Sequence, residues 1–206
     1  MLINNSTVGN PSFTVNPLPG LAQNSPIYGT QLCDVNGDGN LDLYVIQNNF
    51  LTNPRVERFN DGVSLLMLGE GDGSFEPVAT DSGLFISDEG RALTVCDLNQ
   101  DGKADFVAGT SSAGIHSFTN RSRHSPFAID LNKLKNRGDN IGARVLIKFA
   151  NQRRQLHEIR SNNGYLSQSP PIVFTGVDSE NDIDSIEIEF PDGSKVSGTI
   201  KDLFNK

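Results

Sequence analysis

Asp34-Val35-Asn36-Gly37-Asp38-Gly39-Asn40-Leu41-Asp42 returns 63 positions later as Asp97-Leu98-Asn99-Gln100-Asp101-Gly102-Lys103-Ala104-Asp105. Each copy sets oxygen-bearing side chains at positions 1, 3, 5 and 9 and a glycine at position 6. Side chains two apart along a tight loop can converge on one point, and the glycine supplies the sharp turn that a Cβ would obstruct. Oxygen donors in this spacing suit a hard cation, and Ca²⁺ is the expected one, with one ion per loop and two in all. The expected ligands are Asp34, Asn36, Asp38, Asn40 and Asp42 in the first copy. In the second they are Asp97, Asn99, Asp101, Lys103 and Asp105. Asn40 and Lys103, at position 7, would offer main-chain carbonyls, so a lysine is tolerated there. Mg²⁺ fits less well because it demands a tighter octahedron. The donor set is smaller than that of an EF-hand, which places the expected affinity in the micromolar to millimolar range.

The residues after each loop decide the frame. An EF-hand would continue into a helix with Glu at position 12, but position 12 here is Val45 or Ala108. The continuations Leu41-Asp42-Leu43-Tyr44-Val45-Ile46 and Ala104-Asp105-Phe106-Val107-Ala108-Gly109 are short β-rich runs bounded by turn residues. Further strands are expected at 63–68 and 115–118, with Gly71-Asp72-Gly73-Ser74-Phe75 as a hairpin turn. Cys33 pairs with Cys96, and Gly20-Leu21 with Gly83-Leu84, at the same offset of 63. Residues 12–74 and about 75–122 therefore read as two copies of a β unit, the second trailing towards 137. That period suggests propeller blades or another stacked β repeat. Each cysteine directly precedes a loop and is expected to be a small buried thiol rather than half of a disulfide.

Composition shifts near residue 122. Alternation at 143–149, a similar style at 155–160, and Ile186, Ile188 and Phe190 interleaved with Glu187 and Glu189 mark half-buried strands. Pro191-Asp192-Gly193-Ser194 is a hairpin turn, returning through Val196, Gly198 and Ile200. The expected fold class is all-β: two propeller-type blades with calcium loops in 1–122, then a small β-domain in 123–206.

These residues together resemble a known arrangement. The two loops with their strands, the Gly-Leu pairs and Gly71–Phe75 are similar to the FG-GAP/VCBS repeats of integrin-α-like β-propellers. Asn136-Arg137, Ile141-Gly142-Ala143-Arg144-Val145, Gly164-Tyr165-Leu166-Ser167-Gln168-Ser169 and Pro191-Asp192-Gly193 resemble the ASPIC/UnbV domain that follows such repeats in bacterial secreted proteins. The resemblance spans most of residues 18–200. It departs at Phe190, where the family usually has Trp, and at Val173-Phe174-Thr175-Gly176-Val177, a reduced form of His-Phe-Gly-Leu-Gly. It implies about seven blades, whereas two occur here. Three outcomes stay open: a piece of a longer propeller, ring completion by a homo-oligomer, or blades capped by the C-terminal domain.

The formal net charge is −8, and six of the acidic groups sit in the two loops. Two bound Ca²⁺ would halve that charge. The balance argues against nucleic-acid binding, which needs a basic face. No apolar run is long enough for a membrane span, and the Met1–Thr7 start does not read as a signal peptide. His116, His124 and His157 form no catalytic or metal spacing, and Gly109–Gly114 reads as a turn. Arg137-Gly138-Asp139 reads as part of a turn rather than an adhesion signal. Asn4, Asn5 and Asn120 are sequons that matter only in a eukaryotic secretory pathway. Arg153, Arg154, His157 and Arg160 make a local basic patch, read as a solvated strand face, with an anionic partner or a contact to an acidic blade as alternatives.

The expected function is a calcium-binding, non-enzymatic binding or scaffold module, extracellular, periplasmic or at the cell surface, meeting a protein or carbohydrate partner. The alternative is a fragment or accessory domain of a secreted propeller enzyme whose calcium sites are purely structural.

Overall fold

The computed structural model of the chain describes residues 1–48, 62–78, 82–111, 113–123, 126–134, 140–176 and 182–204. Arg137-Gly138-Asp139, Asn136, His124 and Val177 lie outside the described residues. A short hairpin opens the chain, β1 (Leu2–Asn4) paired with β2 (Phe13–Val15). Residues 13–15 thus belong to a separate hairpin rather than to the first repeat.

Apolar runs after each loop form central strands because both faces are covered. In the first repeat β3 (Ile27–Cys33), β4 (Asp42–Gln47), β5 (Leu65–Gly69) and β6 (Phe75–Pro77) make a four-stranded antiparallel meander. The turn at 71–73 joins β5 to β6, as expected. In the second repeat β7 (Gly90–Cys96), β8 (Asp105–Thr110) and β9 (Gly114–Phe118) make three strands. Among the described residues this sheet has no fourth strand, and after β9 the next strand, β10 (Pro126–Asp130), pairs elsewhere.

The two repeat sheets pack face to face. Tyr44 and Ile46 of β4 meet Leu93, Val95, Phe106 and Ala108, and the Tyr44 and Phe106 rings lie 4.9 Å apart. Leu43 and Val45 point the other way, into a cluster closed by Leu18 and Ala22. The residue after position 9 therefore packs towards the preceding layer in both repeats. Phe106 packs towards the first sheet, and Leu43 towards residues 18–22, which stand where a preceding layer would.

The C-terminal part pairs β10 with β13 (Ile172–Gly176). Its second sheet has the order β12-β11-β14-β15, from β11 (Arg144–Phe149), β12 (Arg154–Glu158), β14 (Ile183–Glu189) and β15 (Lys195–Gly198). A short helix, α1 (Ile200–Phe204), closes this region. Val145, Ile147, Phe149, Ile186, Ile188 and Phe190 form its core, so phenylalanine fills the place that the resemblance gives to tryptophan. Among the described residues no helix is long and apolar enough to cross a membrane.

Between β12 and β13 the chain runs as a strap along the inner edges of both repeat sheets. Gly164 bridges Gly29, and the Tyr165 amide donates to the Tyr28 carbonyl at 3.3 Å. Further on, Ser167 Oγ accepts from the Leu93 amide at 2.8 Å and Ser169 Oγ accepts from the Val95 amide at 3.2 Å. Thr94 Oγ1 donates to the Gln168 carbonyl at 2.8 Å. Hydroxyls here replace the strand that would otherwise satisfy the free amides of β7. This contact covers the β3 and β7 edges from within the chain.

Candidate metal centre

Each loop is a connection between an inner strand and its neighbour, β3 to β4 and β7 to β8. Positions 4 and 6 take left-handed backbone in both. Gly37 and Gly39 stand at φ 80° and 84°, Gln100 and Gly102 at 61° and 83°. Glycine meets this freely, while Gln100 does so at a steric cost.

In the first loop the side chains are held on main-chain amides. Asp34 Oδ1 accepts from Gly37 at 2.7 Å, and its Oδ2 accepts from Gly39 at 2.7 Å and from Gly176 at 2.6 Å. Asp38 accepts from the Asn40 amide at 2.7 Å and from Asn36 Nδ2 at 2.9 Å. Asp42 Oδ2 accepts from Val35 at 2.8 Å and Asn36 at 3.4 Å, and its Oδ1 from Gly69 at 3.0 Å. The second loop repeats the plan. Asp97 accepts from the amides of Asp101 and Gly102, each at 3.0 Å, and Asp101 from Lys103 at 2.9 Å. Asp105 accepts from Leu98 at 2.9 Å and Asn120 at 2.7 Å. In both loops the position-9 carboxylate ties the start of its loop to the end of the third strand, at Gly69 in the first repeat and just past β9 at Asn120 in the second.

The surroundings set the electrostatics. Asp34, Asp42 and Asp105 are fully buried, while Asp38 and Asp101 are exposed. Burial raises the pKa of Asp34 above the ordinary carboxylate value, against the pull of the Gly176, Gly37 and Gly39 amides. Burial likewise pushes Asp42 up to about 6, the Gly69 and Val35 amides opposing it and the charges of Asp34 and Asp38 adding to it. Cys33 and Cys96 are free thiols, as expected, though only Cys33 is buried and Cys96 is half-buried; both are pushed up, chiefly by burial and then by the loop carboxylates beside them.

The donor set suits a hard cation: carboxylates, an Asn oxygen and a main-chain carbonyl at the spacing such an ion takes. Asp34 and Asp42 add two buried carboxylates that have no salt-bridge partner among the described residues. The structure gathers Asp34, Asn36, Asp38, Asn40 and Asp42 into one loop and Asp97, Asn99, Asp101, Lys103 and Asp105 into the other. Among the described residues it does not bring three acidic, His or Cys side chains to a common metal-holding point. The carboxylates instead stand on amides and apart from one another. The Lys103 ammonium turns away to the Ser122 carbonyl at 2.7 Å, which leaves only its main chain to face the loop.

Three further residues touch the first loop; of these the sequence offered only Arg153, through the alternative of a contact between its basic patch and an acidic blade. Gly176 ends β13 against Gly37, where a Cβ would strike the Gly37 main chain. Gln155 Nε2 donates to the Gly39 carbonyl at 2.7 Å while its Oε1 accepts from Thr175 Oγ1 at 2.9 Å. Arg153 donates to the Asp38 carbonyl at 3.3 Å. The basic patch therefore resolves in part into a contact with the acidic repeat. Arg160 pairs instead with Glu158, and burial drives His157 down to about 4.

Sheets of this kind, each carrying an acidic loop between its first two strands and stacked face to face, are propeller-type repeats. The model of the FG-GAP-like repeat family matches residues 34–108, and that of the ASPIC and UnbV family matches residues 133–201. The two matches follow one another along the chain, the FG-GAP-like repeat first and ASPIC and UnbV after it. No curated protein matches it.

Proposed function

We propose that the chain is a calcium-stabilised, non-enzymatic binding or scaffold module, with repeats in 1–122 and the second domain in 123–206. Two ions bind, one at Asp34, Asn36, Asp38, Asn40 and Asp42, the other at Asp97, Asn99, Asp101, Lys103 and Asp105. The observation that carries this reading is the repeated position-9 carboxylate. Asp42 and Asp105 are both fully buried, each at the start of a strand. An ionised carboxylate costs several kilocalories per mole to bury unless a counter-charge balances it, and a divalent cation supplies one.

Asn36, Asp38, Asn99 and Asp101 lie towards solvent, so such ions exchange readily. That suits a compartment with abundant free calcium, outside the cell or in the periplasm. A cleft of about 530 Å³ is lined by Val35, Leu84, Phe106 and Phe118 together with Ser117, Asn120 and Arg121. Its mixture of aromatic and polar lining suits a protein or carbohydrate partner.

Calorimetric titration with Ca²⁺ is expected to show two bound ions, and a chelator is expected to lower the melting temperature. No heat and no change in melting temperature would overturn the calcium reading.

A further inference from the structure

The two loops share a pattern but not a setting. Asp34 is fully buried, whereas Asp97 at the equivalent position is partly open. The difference comes from the C-terminal region. Gly176 donates to Asp34, Gln155 to the Gly39 carbonyl and Arg153 to the Asp38 carbonyl. The acceptor contacts described for Asp97 come from its own loop.

We propose that Gln155 and the Gly176 main chain are positioning groups for the loop at 34–42, so that calcium in that loop and seating of the C-terminal region strengthen each other. The proposal rests on the calcium reading above. Each carboxylate oxygen has two acceptor sites. Gly39 and Gly176 take both on Oδ2 of Asp34, which fixes the rotation of the carboxyl group. Oδ1, bonded to Gly37 alone among the described residues, keeps a site open.

Gln155 fixes the Gly39 carbonyl, one residue before the carbonyl expected to bind the ion. It is buried and is itself braced by Thr175. A site ordered in advance gives up less conformational freedom when its ligand arrives. The gain runs the other way as well. Seating β13 on the loop buries the Asp34 charge, and a cation in the loop offsets that cost. Linkage makes the two effects equal in size. The loop at 97–105 lies outside this arrangement and serves as an internal reference.

The test titrates each loop alone with Ca²⁺ in the full chain. Asp101→Ala isolates the first loop, and Asp38→Ala isolates the second. Gln155→Ala is expected to weaken the first loop about tenfold, the loss typical when a partner that orients a metal ligand is removed, and to leave the second within about twofold. Arg153→Ala, an exposed change that leaves the core intact, is expected to weaken the first loop alone by a smaller factor. In the unmutated chain Ca²⁺ is expected to slow hydrogen exchange at the Gly176 amide. An unchanged first loop in both variants, equal weakening of both loops, or unchanged exchange at Gly176 overturns the assignment. Absence of any calcium heat in the unmutated chain would instead bring down the calcium reading, and this inference with it.

Discussion

The Gly176 amide lies 2.6 Å from Oδ2 of Asp34, 142 positions away along the chain. A strand end of the C-terminal region thereby completes the partners of a loop carboxylate in the first repeat. The same region covers the inner edges of both repeat sheets, so the two halves share their least replaceable hydrogen bonds.

Asp42→Ala should be more damaging than Asp105→Ala, the equivalent change in the second loop. It strips the acceptor from the amides of Val35, Asn36 and Gly69 at a fully buried position. Each buried amide left unpaired costs about 1–3 kcal/mol. Asp105→Ala orphans two amides, Leu98 and Asn120, and should cost less. Urea denaturation of the two variants without added metal measures the order.

Gln100→Gly should stabilise the second loop. Gln100 holds φ 61°, where the first loop has Gly37. Relief of left-handed backbone amounts to about 1 kcal/mol, less the greater freedom of glycine in the unfolded chain. A small rise in melting temperature is the expected result, and a fall would show that the Gln100 side chain contributes more than its backbone costs.

Ser167→Ala and Ser169→Ala should loosen the strap. Each removes the acceptor for an amide of β7, Leu93 or Val95. The expected loss is about 1–2 kcal/mol per site, the larger for Ser167, whose bond is shorter and buried. Hydrogen exchange at Leu93 and Val95 reports it directly, since those amides should speed up while amides in the second sheet of the C-terminal region do not.

Acid should weaken the protein through His157. Burial holds its pKa at about 4, below the ordinary 6.5. Between those values the unfolded chain binds the proton and the folded chain does not, so stability rises with pH across that window. The contribution is fully present above pH 6.5 and lost as pH falls towards 4, on the order of 2 kcal/mol for a side chain with some solvent contact. His157→Gln, which cannot titrate, should flatten this part of the profile in denaturation measured from pH 7 to 4.

The repeated loops, the strands after them and the alternating strands of the C-terminal sheet were legible because each is a local pattern. Loop chemistry repeats at fixed spacing, and burial on one face prints a period of two. Tyr44 and Phe106 each sit in the short apolar run that directly follows a loop, and the run around Tyr44 is buried on both faces. The contacts between halves leave no such print. Gln155 lies on a strand whose outward residues look like any solvated face, and only its partner, the Gly39 carbonyl 116 positions earlier, gives it a role. Gly176 fell in a stretch that departs from the family pattern, so nothing marked it as an adaptation to the close approach of Gly37. That the second repeat has no fourth strand among the described residues was hidden for the same reason. Whether a chain turns back or departs after β9 depends on where β10 finds its partner.

The strap also sets an order of events during synthesis. Val95 waits for Ser169, 74 residues later. At roughly 5–20 residues per second on the ribosome, that interval lasts several seconds. Through it the repeats present bare strand edges to every other nascent chain nearby. A product halted before residue 164 would keep those edges for its lifetime, and premature termination in the second half should therefore yield insoluble repeats rather than a working smaller protein.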